Sequence, residues 1–155
     1  MIFTGRTYPA PQATDVVQKL VSGVTYAATL AIVFDFVPSV IVVDFVALVL
    51  HDTTYESGHT TGRSVVTVTG TDTITISTYY AGIRDVNGTW TPFQATALDT
   101  TNVVYARGGN DGSDDARITA TGAWSTSGRS LTLTYGTLNV NNPNCVLALV
   151  ATAHK

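Results

Sequence analysis

Charged and long flexible side chains are scarce in this chain of 155 residues. It contains a single glutamate, two lysines and one methionine, and only 12% of its residues are charged. Those residue types are common in helices, whereas the 27 threonines and 20 valines found instead favour the pleated surface of a sheet. The composition therefore argues against a helical protein and predicts an all-β fold of about one domain.

Positive charge is too sparse for a nucleic-acid-binding surface. The net charge is −3, and the six arginines are scattered along the chain. Binding to phosphates requires clustered lysines and arginines, so we expect no nucleic acid among the partners. The same low charge leaves a single copy with few polar groups at its surface, which self-association would relieve.

The hallmarks of a secreted protein are missing. Cys145 is the only cysteine, so no intrachain disulfide can form, and its apolar neighbours predict a buried small side chain. The first residues contain neither a charged leader nor an apolar core, so we expect no signal peptide and synthesis in a cytoplasm.

The most apolar stretch, residues 32–50, contains Asp35, Pro38 and Asp44. A membrane-spanning helix needs about 20 apolar residues without uncompensated charge, and proline interrupts a helix. The stretch therefore predicts two strands that meet at a bend, and we expect no membrane partner. A strand that is apolar on both faces must be covered on both, so we expect part of the cover to come from another copy of the chain. The candidate residues for this oligomer interface are Phe36, Val40, Val42 and Asp44.

The N-terminal residues 1–14 are predicted to form an extended arm. They are polar, interrupted by prolines, and contain three isolated apolar residues that would anchor the arm on a partner: Ile2, Phe3 and Tyr8. Thr14 could then cap a short helix over residues 15–22, which Gly23 would end.

Residues 15–155 are predicted to form a single antiparallel β-sandwich or jelly roll of about 8–10 strands. Alternation around Gly70 predicts a hairpin between residues 64–69 and 73–80. Asn87-Gly88 predicts a tight turn that pairs residues 79–86 with 89–97, with Trp90 as an anchor of the returning strand. One further strand is predicted within residues 24–36, and another from the Pro38 bend to about residue 50. The remaining predicted strands lie at 102–107, 117–123, 130–135 and 144–152. Residues 51–62 are predicted to form a polar loop.

Two polar loops offer metal-ligating groups without the spacing of a known motif. The first contains His51, Asp52, Glu56 and His59, which match no zinc motif. The second lacks the glycine and the bidentate glutamate of an EF-hand, and whether it binds an ion stays open; its carboxylates are Asp111, Asp114 and Asp115. The chain also has no glycine-rich phosphate loop and no Gly-x-Ser-x-Gly element. We therefore expect no catalytic residues, no metal or other cofactor, and no enzymatic activity.

Aromatic rings are the alternative binding groups. Trp90 and Trp124 could stack on a sugar, since an exposed ring offers an apolar face to a pyranose. Packing in the core or at a subunit contact is the other interpretation of the same rings.

The element Phe36-Val37-Pro38-Ser39-Val40-Ile41-Val42-Val43 resembles the Phe-x-Pro and following β-branched strand found in terminal domains of tailed-phage fibres and related virion proteins. The Thr-, Val-, Asn- and Gly-rich, lysine-poor domain is similar in style to phage decoration and fibre proteins. The resemblance implies a virion structural protein that forms a homotrimer.

A capsid decoration or cement protein needs only a compact oligomer and an arm that binds the shell, whereas a fibre also needs a shaft or an attachment module. A chain of 155 residues has room for neither beside the predicted sandwich, so of the two roles that the resemblance implies we favour a decoration protein that binds the major capsid protein or another virion protein. The alternative is a tail-fibre or receptor-binding tip that recognises a host glycan, and a third is a small carbohydrate-binding module.

Overall fold

The computed structural model describes residues 13–22, 28–50, 57–86, 88–110, 115–136 and 144–155, and these residues form ten strands and no helix. Among them there is accordingly no helix long and apolar enough to cross a membrane. The all-β prediction is confirmed. The strands are β1 (Thr14–Ser22), β2 (Thr29–Val33), β3 (Val40–Leu50), β4 (Gly58–Gly70), β5 (Thr73–Val86), β6 (Thr89–Gln94), β7 (Asn102–Asn110), β8 (Asp115–Ser125), β9 (Ser130–Tyr135) and β10 (Asn144–His154).

The strands form two antiparallel sheets that pack against each other as a β-sandwich. The six-stranded sheet has the order β1-β10-β3-β4-β5-β6, and the four-stranded sheet has the order β2-β9-β8-β7. Because β1 pairs with β10 and β2 with β9, the two ends of the chain wind together as in a roll. β3 to β6 and β7 to β9 follow one another as hairpins, and the chain crosses from one sheet to the other between β6 and β7, so the sandwich prediction is confirmed.

The apolar stretch 32–50 passes from one sheet to the other. β2 ends at Val33 in the four-stranded sheet, and β3 begins at Val40 in the six-stranded sheet, with the buried Pro38 between them. The predicted pair of strands with a bend is confirmed. Along β3, alternate side chains enter the core and are fully or almost fully buried, namely Ile41, Val43, Phe45, Ala47 and Val49. Each large one stabilises the fold by about 1.5–3 kcal/mol.

A buried polar cluster ties β7 to the six-stranded sheet. Thr78 on β5 is completely buried, and its Oγ1 hydrogen-bonds to Ser64 Oγ on β4 at 2.8 Å and to the carbonyl oxygen of Asn102 on β7 at 2.6 Å. Ser64 is also completely buried. Because buried hydroxyl and carbonyl groups need partners, this cluster fixes how the two sheets sit against each other.

The segment between β6 and β7 is held by Asp99. Its backbone forms two hydrogen bonds with Thr78, at 2.8 and 2.9 Å. Partial burial disfavours the charged carboxylate, but that carboxylate accepts hydrogen bonds from the Asn102 side chain and from the N–H groups of Asn102 and Thr101. These bonds outweigh the burial, so the pKa of Asp99 lies below its ordinary value.

The predicted helix over residues 15–22 is wrong, because these residues form the edge strand β1. All nine residues from Thr14 to Ser22 pair with β10, and Val16, Gln18 and Leu20 alternate in exposure with their neighbours as in a strand. A helix of two turns is marginal by itself, so pairing with a distant strand overrides the capping signal. Residues 1–12 of the predicted arm, with Ile2, Phe3 and Tyr8, lie outside the described residues.

The predicted hairpins are confirmed, but the predicted loop 51–62 is too long. β5 pairs with β4 on one side and with β6 on the other, and Gly88 in the second turn has the positive φ of 81° that glycine tolerates. Residues 58–62, however, already belong to β4. A side chain at Gly58 would collide with the backbone carbonyl of Arg107, and one at Gly62 with the ring of Phe45. Gly58 thus marks a close approach between the two sheets, and Gly62 marks one within the six-stranded sheet.

Candidate functional site

The six-stranded sheet has one face that nothing in the described part of the chain covers. Its ladder places Leu20, Ala148, Val46 and Thr61 side by side, and the neighbouring row consists of Gln18, Val150, Asp44, Arg63 and Tyr79. Paired residues of a ladder point to the same side of the sheet, and these point away from the core. We call this surface the outer face.

The outer face is largely apolar. Leu20 is 75% exposed, Val16 54% and Val46 45%, and five further large apolar side chains on this face are at least 37% exposed: Leu48, Val65, Tyr79, Ile83 and Val146. Together the eight side chains expose on the order of 600 Å², at the upper end of the range for the apolar patches of soluble monomers. This surface is therefore the candidate interaction site of the described residues.

A concavity of about 500 Å³ lies on one half of the outer face. Three neighbouring strands line it, with residues 18–20 of β1, 44–46 of β3 and 148–150 of β10. Its floor combines apolar side chains with backbone, and Gln18 and Asp44 are its polar side chains from the outer-face row. Most of its lining residues are apolar, so its shape and chemistry suit an apolar group.

One ion pair lies at the centre of this apolar surface. Arg63 Nε donates to Asp44 Oδ1 at 2.6 Å, and a terminal nitrogen of the same guanidinium donates to Oδ2 at 3.1 Å. This two-pronged geometry is the strong form of an arginine-carboxylate contact. The hydrogen bonds to Asp44 and its negative charge raise the pKa of Arg63 above its ordinary value. Both side chains remain accessible to solvent, and their charges cancel.

Three of the four predicted interface residues share the outer face. Val40, Val42 and Asp44 occupy alternate positions of β3 on this side, as their ladder partners show. Phe36 does not join them, because it lies before β3 and packs against the core between the sheets. Leu20 and Val150 also lie on this surface and were not predicted from the sequence. The only available signal was the apolar character of β10 on both of its faces.

The two tryptophans occupy different environments. Trp90 is 54% exposed on the edge strand β6, so its ring is not packed in the core. Trp124 is only 4% exposed, its ring centre lies 6.3 Å from that of Phe34, and its indole N–H donates to Thr126 Oγ1 at 3.0 Å. Packing is therefore the correct interpretation of Trp124, which is not accessible to a sugar.

The potential metal ligands are not brought together within the described residues. His51, Asp52, Glu56, Asp111 and Asp114 lie outside that part of the chain, where His59 is exposed on β4 and Asp115 begins β8. No group of three histidine, cysteine, aspartate or glutamate side chains with the arrangement of a metal site occurs among the residues that the structure describes.

Comparison with family models, with curated proteins and with solved structures gives no match. The geometry of the sandwich and its outer face are therefore the basis for the function proposed below.

Proposed function

We propose that this chain is a non-enzymatic structural protein of a virus particle, which acts as a homo-oligomeric decoration or cement protein on the phage head. The observation that carries the proposal is the outer face, with eight exposed large apolar side chains on one sheet. A surface of this kind is built for contact with protein rather than for chemistry on a small molecule. The resemblance of residues 36–43 to virion proteins supplies the biological setting.

The mechanism of such a protein is mechanical. An oligomer placed over the junction between capsid subunits buries surface on several of them at once. Once one contact forms, the others form at high effective concentration, so individually weak contacts hold the shell together against internal pressure. In this proposal the arm of residues 1–14 contacts the major capsid protein or another virion protein through Ile2, Phe3 and Tyr8.

The location of the chain tests this proposal. Purified particles are separated into heads and tails, and the chain is quantified in each fraction by mass spectrometry against a labelled standard. We expect hundreds of copies per head. A few copies per particle in the tail fraction would contradict decoration and support the fibre alternative.

Deletion of residues 2–12 tests the role of the arm. The shortened protein is expected to keep its oligomeric state and to lose binding to heads that lack the native protein. The matched control is the triple substitution of Ile2, Phe3 and Tyr8 by serine, which keeps the length of the arm and removes its anchors. Unchanged binding of both variants would contradict the arm contact.

The exposed ring of Trp90 favours glycan binding as a second candidate function. A ring that is 54% exposed beside polar threonines offers a stacking surface for a sugar. The test is a glycan array probed with the native protein, with Trp90→Ala and with Trp90→Phe, which keeps an aromatic ring. This candidate expects a signal that Trp90→Ala abolishes and Trp90→Phe largely preserves, and an array without signal would exclude it for the glycans tested.

A further inference from the structure

We propose that the outer face is the interface of a two-fold symmetric dimer, in which the six-stranded sheets of two copies pack face to face. The proposal rests on the self-association included in the proposed function, but it does not depend on a virus particle. The partner that covers the outer face is a second copy of this chain. Three properties of the face support this: its area, its charges and its shape.

The area is sufficient for a stable interface. A two-fold contact buries the same patch on both copies, about 1,200 Å² of apolar surface before any polar rim is counted, which reaches the range of specific protein interfaces. The concavity between β1, β3 and β10 adds a receptor for side chains of the opposite copy. A two-fold axis between β3 and β4 lays β5 of one copy over β10 of the other, so Tyr79, which is 47% exposed on β5, faces the concavity opposite.

The charges of the face are complementary to themselves. Asp44 and Arg63 are adjacent, opposite in sign and directly paired in the ladder. A two-fold axis that runs between β3 and β4, parallel to these strands, places Asp44 of each copy close to Arg63 of the other, so four charges form a neutral network. No like charges need to meet at the centre of the interface. A partner protein with a strongly charged surface would lack this match.

A two-fold arrangement fits this face better than the homotrimer implied by the resemblance. Six strands at about 4.8 Å spacing make a sheet about 24 Å wide. Three such sheets arranged around a three-fold axis would each lie about 7 Å from that axis. In a packed pair of sheets, each sheet lies only about 5 Å from the plane midway between them. In the middle of the face Val42 and Val46 are short, and the longer Arg63 is held by Asp44 of its own sheet. They would leave the axis of a trimer hollow, whereas two sheets can close on each other completely.

The experiment is sedimentation velocity over a concentration series with a matched pair of variants of the full chain. Val46→Asp places a charge at the centre of the outer face, and Val33→Asp places the same charge at an exposed valine of the four-stranded sheet. Both valines are accessible to solvent in the single copy, at 45% and 56%, so neither change should disturb its fold. We expect the native protein and Val33→Asp to form dimers, and the dimer dissociation constant of Val46→Asp to rise at least 100-fold.

A charge-deletion series keeps the proposal testable if Val46→Asp does not fold. Asp44→Leu strands Arg63 in the interface and should weaken the dimer about 30-fold or more, while the double variant Asp44→Leu/Arg63→Leu should dimerise at least as well as the native protein. Three results would overturn the proposal: a native chain that is monomeric at every concentration, a native trimer, or equal dimerisation of Val46→Asp and Val33→Asp. None of these would change the copy number in particles, which tests the proposed function separately.

Discussion

Replacement of Thr78 by valine should destabilise the sandwich far more than its small chemical change suggests. Valine has nearly the shape of threonine but no hydroxyl, so the half-buried carbonyl of Asn102 and the buried hydroxyl of Ser64 would lose their common partner. An unsatisfied buried polar group costs about 1–3 kcal/mol. The apolar methyl that replaces the hydroxyl recovers little of this, because the groups around it remain polar.

The expected loss is measurable by thermal and urea unfolding. For a chain of this size, each kcal/mol lowers the midpoint of thermal unfolding by about 2–4 °C, so Thr78→Val should lower it by roughly 3–10 °C. Circular dichroism at 218 nm follows the loss of strand structure. The slope of the urea transition should stay unchanged, since the same surface is exposed on unfolding.

A matched control and a double variant separate this cause from a general effect of valine. Thr134 is an exposed threonine of β9 in the four-stranded sheet, and Thr134→Val should change the free energy of unfolding by less than about 0.5 kcal/mol. Thr78→Val combined with Ser64→Ala should cost clearly less than the sum of the two single changes, because each already breaks the shared bond. A Thr78→Val protein as stable as the native one would refute the view that this cluster ties the sheets together.

Three further predictions follow from packing, charge and exposure. Gly58→Ala should destabilise the fold by about 1–3 kcal/mol in urea unfolding because its Cβ meets backbone of β7, whereas Gly70→Ala meets only a threonine hydroxyl and should be tolerated. The lowered pKa of Asp99 means that its carboxylate stabilises the fold above the pKa of the unfolded chain and that this contribution is lost as pH falls through the lower folded value. Asp99→Asn should therefore show a smaller drop in thermal midpoint between pH 7 and acid than the native protein. In the folded protein, acrylamide should quench the fluorescence of Trp90 but not that of Trp124. Variants that lack one or the other tryptophan separate the two signals. Equal quenching would contradict the burial of Trp124.

The sequence predicted those elements whose signals are local. The bend at Pro38 separates two strands whatever the rest of the chain does, and the Asn87-Gly88 turn brings its flanking strands together through their own geometry. β1 was predicted wrongly because its structure is determined by β10, about 130 residues later in the chain. Local capping residues carry no information about a partner so distant.

The candidate site was predicted only in part for the same reason. The two-sided apolar character of β3 indicated that its outer side needs cover, and Val42 and Asp44 do lie there. The chain order does not reveal that Leu20 and Val150 stand beside this strand, since that depends on the ladder between β1, β10 and β3. If β1 or β10 were shifted by one residue relative to β3, these side chains would point towards the core instead of away from it.

The edges of the six-stranded sheet offer a second copy much less than its outer face does. Pro92 on β6 lacks a backbone donor, and Lys19 places a charge on β1, and both features oppose the addition of a further strand. Edge pairing could also continue from copy to copy, whereas a two-fold contact between outer faces closes on itself after two copies. The ion pair of Asp44 and Arg63 then has a directional role, because an apolar surface alone permits sliding and a fixed pair of charges selects one orientation. A sheet with resistant edges, an apolar face and one central pair of charges therefore favours a closed unit of fixed size over a growing fibre.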